Sequence, residues 1–193
     1  MEATWLKNIT WAYSPSSMSS TSSPSSQDTG LTAQPTLRGA LGHFATGVTV
    51  ITAQQPSQEG WVGLTVNSFS SVSLEPALVL WSLSNKSPNL DAFTVGSTHV
   101  IHILADAQKD LAYQFSNPKI DKFANVDCAM DAQLQVPVIE GCTARFYCET
   151  DRIYQAGDHS IILARVLKFD TADHPPLLFV KGNMLTPETC TPL

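Results

Sequence analysis

A mainly β chain, folded as an antiparallel barrel with a few short helices at its periphery, is predicted by three features of the sequence. Seven runs have strand length and are rich in β-branched and aromatic residues. The three short helical segments do not alternate with them as repeated βαβ units, which disfavours a doubly wound sheet. Charged residues make up 15% of the 193, against ~25% in an average domain, as expected where much of the chain is buried in a core or between copies.

The first 34 residues stand apart. From Ser14 to Ser26, nine of thirteen residues are serine. Such a segment buries too little apolar surface to offset its ordering entropy. Residues 1–34 therefore read as a disordered leader and residues 35–193 as the folded domain. Lys7 is the leader's only basic residue, a poor fit to a mitochondrial presequence, and no continuous apolar core marks a signal peptide. Met18 is an alternative start, with residues 1–17 an overlong reading frame. In another reading Trp5, Leu6, Ile9 and Trp11 pack back on the domain.

Leu37, Ala40, Leu41 and Phe44 follow at i, i+3, i+4 and i+7, one face of a short helix opened by Pro35-Thr36 and closed by Gly47. Val48–Ala53 alternates as a strand, and Trp61–Phe69 reads as a second. Pro76–Leu83 is a buried strand with proline at its first position. Ser87 as cap and Pro88 at the first helical position predict a helix over Pro88–Val95. His99–Leu104 is a strand, and Asp106 caps a helix running to Phe115. Ala144–Thr150, Ser160–Asp170 and Leu177–Lys181 complete the strands.

Composition narrows the function. Eleven Lys and Arg against seventeen Asp and Glu give a net charge of −6, which argues against a nucleic-acid-binding protein but allows local basic spots for a small anion. No apolar run approaches the ~20 residues of a membrane helix. None of Cys128, Cys142, Cys148 and Cys190 forms a CxxC pair, so no metal site is expected. Cys142 and Cys148 would lie roughly 20 Å apart on a straight strand, too far for a disulfide. Free thiols and a cytoplasmic location are expected.

Several chemistries are missing from the sequence. There is no GxGxxG or GxxxxGK[ST], no HExxH and no GxSxG elbow. His99 and His102, three apart on a strand, point to opposite faces and chelate poorly. Asp158-His159-Ser160 holds all three triad residue types, but neighbours on an extended chain project oppositely, so they cannot form a hydrolase relay among themselves.

What remains is a hydroxyl-rich stretch, Gly63-Leu64-Thr65-Val66-Asn67-Ser68-Phe69-Ser70-Ser71-Val72-Ser73, followed by Ser82-Leu83-Ser84-Asn85-Lys86-Ser87-Pro88-Asn89. Small hydroxyls and amides can bond the polar edge of a flavin ring and its ribityl and phosphate oxygens, with Lys86 as a cation near a helix N-terminus. A surface turn with a helix cap explains the same residues on composition alone.

The block Phe44-Ala45-Thr46-Gly47-Val48-Thr49-Val50-Ile51-Thr52 resembles the opening signature of the flavin reductase-like family. Gly63 to Pro76 resembles its second block, and Gly157-Asp158-His159-Ser160-Ile161-Ile162 its third. The three occur in order, and the similarity runs from about Thr36 to Met184. The resemblance implies an FMN-binding split barrel, usually a homodimer, that moves a hydride from NADH or NADPH to FMN or FAD. It also implies transient transfer of the reduced flavin to a separate monooxygenase.

By that resemblance Thr65, Val66, Asn67 and Ser68 line the isoalloxazine ring, partly through backbone groups. Ser82, Ser84, Asn85, Lys86 and Ser87 lie near the ribityl phosphate. His159 sits by the nicotinamide, oriented by Asp158. Thr46 and Gly47 serve the helix-to-strand turn close to flavin. Two departures are expected to matter. His102 stands where relatives often carry Asn, and Asn183-Met184-Leu185 follows Gly182 where an aromatic or arginine is common. A flavin-binding protein without turnover, or a split-barrel oxidase of another small substrate, are the alternatives.

Overall fold

The computed structural model describes residues 36–56 and 60–187; the leader and Cys190 lie outside the described residues. The chain runs through α1 (Leu37–Leu41), β1 (Thr46–Gly47), β2 (Thr49–Gln54), β3 (Trp61–Val66), β4 (Ser70–Leu74), β5 (Ala77–Ser84) and β6 (Thr98–Ile103). It continues through α2 (Lys109–Ser116), β7 (Cys128–Met130), β8 (Pro137–Ile139), β9 (Ala144–Ala156), β10 (His159–Thr171), β11 (Leu178–Val180) and β12 (Asn183–Leu185).

Seven strands form one sheet in the order β3-β2-β6-β9-β10-β5-β4, with every neighbouring pair antiparallel. Its two edge strands, β3 and β4, are consecutive in the chain and joined by Asn67, Ser68 and Phe69 alone. The four Cα steps from Val66 to Ser70 span about 14 Å at most, so the sheet must curl until its edges nearly meet. The result is the expected antiparallel split barrel, with its seam at Asn67–Phe69. A second sheet, β1-β11-β12, and the hairpin β7-β8 flank it.

Strand β2 shows why the barrel needs cover on its outer wall. Its residues Thr49 to Ala53 are all buried. Ile51 and Ala53 enter the barrel interior with Leu64, Trp81, Phe93 and Ile162, while Val50 joins Phe115, Leu104 and Leu177 under α2. Alternate residues of one strand thus feed two cores. Gly63 on β3 lies beneath α2, and a Cβ there would stand 2.2 Å from the Phe115 ring and 3.2 Å from Phe123. Gly63→Ala is therefore expected to cost about 1–3 kcal/mol through displacement of those rings, readable as a lower urea midpoint with unchanged m-value.

Several element boundaries differ from expectation. The first helix stops at Leu41, with Thr36 Oγ1 accepting the Gly39 N–H at 3.1 Å. None of its residues is buried, and Phe44 is 78% exposed. Gly39 and Gly42 weaken the segment as a helix, and a cavity lies beneath it in place of core. The helix expected over Pro88–Val95 is a single 3-10 turn, Leu90–Phe93, because Ser87 Oγ accepts the Asn89 N–H and makes a local turn. Residues Asp106–Gln108 form a 3-10 turn before α2. Trp61–Phe69 breaks at the seam, and β9 runs on to Ala156.

The two strand histidines do face opposite ways, and both are fully buried. His102 Nδ1 donates to the Val50 carbonyl at 2.9 Å, and its Nε2 accepts the Ile139 N–H at 3.0 Å. It therefore pins β8 to the sheet as a neutral imidazole. His99 packs edge-on against Trp81 and Phe93 inside the barrel. Among the described residues no helix is long and apolar enough to cross a membrane, and no group of three or more His, Cys, Asp or Glu could hold a metal.

Candidate active site

Closing the barrel at residues 67–69 places the hydroxyl-rich stretch beside α1 and the β1-β11-β12 sheet. A cavity of about 910 Å³ opens there, within the range of small-ligand sites. Leu41, Phe44, Phe69 and Phe179 give it apolar walls, and Asn67 and Ser68 reach it from the seam. Thr46 pairs with Phe179 across β1 and β11, and its hydroxyl is buried with no hydrogen-bond partner. An orphaned buried hydroxyl lining an apolar cavity is costly unless a ligand completes it.

A polar track leaves the seam along β5. Ser68 Oγ accepts the Ser82 N–H at 2.9 Å. The register places Ser82 opposite Ile161 and Ser84 opposite His159. Ser82, Ser84 and His159 therefore share one sheet face, while Trp81 and Leu83 enter the core. The track ends in a braced turn. Asn85 N–H donates to the Asp158 carbonyl at 3.0 Å, Asn85 Nδ2 to the Gly157 carbonyl at 3.2 Å, and Ser160 Oγ to Asn85 Oδ1 at 2.7 Å. Ser84 Oγ accepts the Lys86 N–H, and Ser84 O accepts the Ser87 N–H. Lys86 is exposed beside this turn.

Asp158 and His159 touch, although neighbours on a strand would not. Gly157 at φ +65° puts Asp158 in a turn, so its Oδ1 lies 2.8 Å from His159 Nδ1. That hydrogen bond holds the Asp158 carboxyl below the usual carboxylate range. His159 is thereby presented with a fixed ring orientation, its side chain only 12% exposed. The expectation that these neighbours project oppositely fails for Asp158 and His159, while the Ser160 hydroxyl donates to Asn85 Oδ1.

Two of the expected ring-lining side chains point elsewhere. Thr65 Oγ1 donates to the Ala112 carbonyl at 2.7 Å, and the Val66 side chain is buried in the barrel core. Of the residues expected at the flavin ring, Asn67 and Ser68 line the cavity; Thr46, expected in the helix-to-strand turn, lines it too, as do Arg38, Phe44, Phe179 and Lys181, for which no flavin contact is expected from the sequence. The signal at Phe44 was present, in the opening block, but an apolar helix face also reads as core.

The donor set and cavity fit a flavin: flat apolar walls for the ring, with hydroxyls and an amide at its polar edge. Thr46→Val tests this fit. Because the hydroxyl is unpaired without ligand, the variant should fold with unchanged or higher stability. It should bind FMN about tenfold more weakly, the worth of roughly one hydrogen bond, as read by flavin fluorescence titration.

Comparison with known proteins agrees. Residues 41–187 match the family profile described as flavin reductase like domain. The chain is 44% identical over 145 residues to an FMN reductase (NADH) of Agrobacterium fabrum, covering 75% of this chain and 81% of that protein. It is 41% identical over 151 residues to the reductase component of the flavin-dependent trigonelline monooxygenase of Acinetobacter baylyi, covering 78% of this chain but 48% of that protein. The chain thus spans about half the length of some curated relatives it matches. Among solved structures, the NADH:FAD oxidoreductase of Streptomyces globisporus, in complex with NAD and FAD fragments, superposes with a TM-score of 0.72 at 33% identity, covering 77% of this chain and 89% of that one. With the split barrel, the seam cavity and the three sequence blocks in place, this chain belongs to the flavin reductase like domain family.

Proposed function

We propose that the chain is an NAD(P)H:flavin oxidoreductase that passes reduced FMN or FAD to a separate monooxygenase. The observation that carries this reading is the seam cavity, with the orphaned Thr46 hydroxyl at its wall and the serine track leading from it to the Asp158–His159 pair. Its relatives support the reading, one an FMN reductase using NADH, another a monooxygenase's reductase component.

A flavin bound here supplies a ring that accepts a hydride from reduced nicotinamide. The protein's own part is positioning. Thr46 and Asn67 offer polar groups to the ring edge, and Ser68 is locked by its bond to Ser82. The free edge of β3 offers backbone groups at Thr65, while the Val66 carbonyl faces β2 and accepts from Thr49 Oγ1 at 2.7 Å. Ser82, Ser84, Asn85, Lys86 and Ser87 form the end that takes the ribityl phosphate. His159, steadied by Asp158, orients the nicotinamide, and the apolar walls exclude water so that these contacts act in a low-dielectric site.

No nucleophile is needed, consistent with Cys142 and Cys148 being buried thiols, both pushed up by burial, to about 11 and about 12. A homodimer fits the exposed Leu74, Val72 and Phe169, and free thiols fit the cytoplasm. The functional unit is residues 35–193, so removal of residues 1–34 should leave turnover intact. Anaerobic stopped-flow mixing with FMN or FAD and NADH or NADPH tests the proposal: bleaching of the flavin's visible band is expected. Tight flavin binding without bleaching by either dinucleotide would identify a binding protein instead.

A further inference from the structure

Lys122 carries a charge that the fold alone does not account for. It sits in the segment after α2, residues 117–127, which crosses the outside of β3. Its backbone is fixed: Gln114 Nε2 donates to the Lys122 carbonyl and to the Ala124 carbonyl, both at 2.9 Å. Phe123 beside it packs edge-on against Trp61 and Phe115. The side chain thereby reaches the strand, and Nζ donates to the Gly63 carbonyl at 2.8 Å.

The residue is half-buried, yet among the described residues no carboxylate pairs with it. The neighbouring Asp121 is exposed, and its Oδ1 accepts the Phe123 N–H at 3.0 Å. Burial holds the Lys122 amine below the usual lysine range. A cation drawn from water without a counter-charge is costly, and such groups collect at functional sites. A neutral donor would serve the Gly63 carbonyl without that cost.

The strand under it supplies a reason for the charge. Gly63 turns its carbonyl outward to Lys122, and by strand alternation Thr65 turns its backbone groups to the same free edge. The two residues stand about 7 Å apart along it, and Asn67, next in that alternation, lines the ring cavity.

We propose that Lys122 is a charge-stabilising residue for the reduced flavin: its ammonium, held on the edge of β3 beside Thr65, favours the anionic reduced ring over the neutral oxidised one. This rests on the flavin reading of the seam cavity and deepens it. The role asks for charge and not for a free donor, so the bond to Gly63 does not compete with it. A unit charge acts across such a distance where water screens it little.

The test reduces bound FMN with dithionite under anaerobic conditions, against a reference dye, so that no dinucleotide is needed. The midpoint potential and the Kd of oxidised and of reduced FMN are read for each variant. In Lys122→Gln the oxidised Kd should stay within about twofold while the reduced Kd rises about tenfold, which lowers the two-electron midpoint by about 30 mV. Lys122→Met keeps the aliphatic stem and should give the same shift, which covers a glutamine variant that fails to fold. Lys122→Arg should hold the parent's midpoint. Lys119→Gln removes the same charge from an exposed position of the same segment and should not move it.

Oxidised and reduced affinities falling together would make Lys122 a brace of β3 and overturn the assignment. An unmoved midpoint, or an equal shift in Lys119→Gln, would overturn it too. A midpoint that depends on Lys122, in a protein whose flavin neither NADH nor NADPH bleaches, would keep the assignment and remove the reductase reading.

Discussion

His159→Ala is expected to lower kcat/KM for the reduced dinucleotide about 100-fold while changing the flavin Kd less than about threefold. The asymmetry follows from placement. The seam cavity and the β5 hydroxyls hold the flavin, whereas His159, opposite Ser84 in the β5–β10 register, is given the nicotinamide that stacks on the flavin ring. Its imidazole is held by the 2.8 Å bond to Asp158, so its loss removes an oriented contact and opens a gap that water can fill. A misplaced nicotinamide costs hydride transfer steeply, since a shift near 1 Å can cost about 10²-fold. Asp158→Asn should do less, a few-fold at most, because that carboxylate is 69% exposed and an exposed contact contributes little. Single-turnover reduction under anaerobic conditions gives the rate, and equilibrium fluorescence gives the Kd. Equal losses in both quantities would remove His159 from the nicotinamide side.

The barrel was legible because strand periodicity survives burial. Five of the expected strands differ from the observed ones by one or two residues at an end, as with Val48–Ala53 against Thr49–Gln54 and His99–Leu104 against Thr98–Ile103. The misses have physical causes. Strand β9 continues past Thr150 through Asp151-Arg152, a polar pair that reads as a loop; in the structure Asp151 bonds Arg165 across the hairpin at 2.9 Å, so the strands pair on. The three-residue strands β7, β8 and β12 are too short to show a period at all. Helix α1 misled most. Its apolar spacing is real, but its face turns to a ligand cavity and to the surface, and spacing alone does not say what covers a face.

The site divides the same way. Asn67 and Ser68 stand out in the sequence because small polar residues interrupt otherwise apolar strands, whereas Asp158-His159 stands out only by resemblance to the family's third block. Thr65 was not separable from them, since its hydroxyl is equally polar; only the tertiary contact to Ala112 shows where it is spent. Lys181 carried no signal, because a lysine before glycine at a strand end reads as an ordinary surface turn. His102, a departure where relatives often carry Asn, has a structural role: both its ring nitrogens are committed, to Val50 and to Ile139.

That commitment makes acid the strongest lever on the fold. Burial holds His99 down to about 3 and His102 down to about 4, from an ordinary 6.5. A base whose folded-state pKa is depressed contributes stability that is fully present above the unfolded value and is lost as pH falls toward the folded one. The unfolded chain takes up both protons below about pH 6.5, while the folded chain refuses them until near pH 4. Each histidine therefore costs about 1.4 kcal/mol per pH unit within that window, and the pair roughly 3–4 kcal/mol between pH 7 and pH 5. This is a large share of the ~5–15 kcal/mol that holds an average domain. Urea unfolding at pH 7, 6 and 5 should show it, and variants should divide it. His102→Asn keeps a donor and an acceptor between Val50 and Ile139 and should remove about half of the acid sensitivity. His99→Met should remove the other half at little cost at pH 7, since the side chain's polar contact is a 3.5 Å one to Thr150, its Nε2 is unsatisfied, and a methionine can keep the packing against Trp81 and Phe93. The double variant should unfold with nearly the same midpoint at pH 5 and pH 7. A double variant as acid-sensitive as the parent would show that the charge imbalance of the acidic surface, and not these two imidazoles, governs the acid limit.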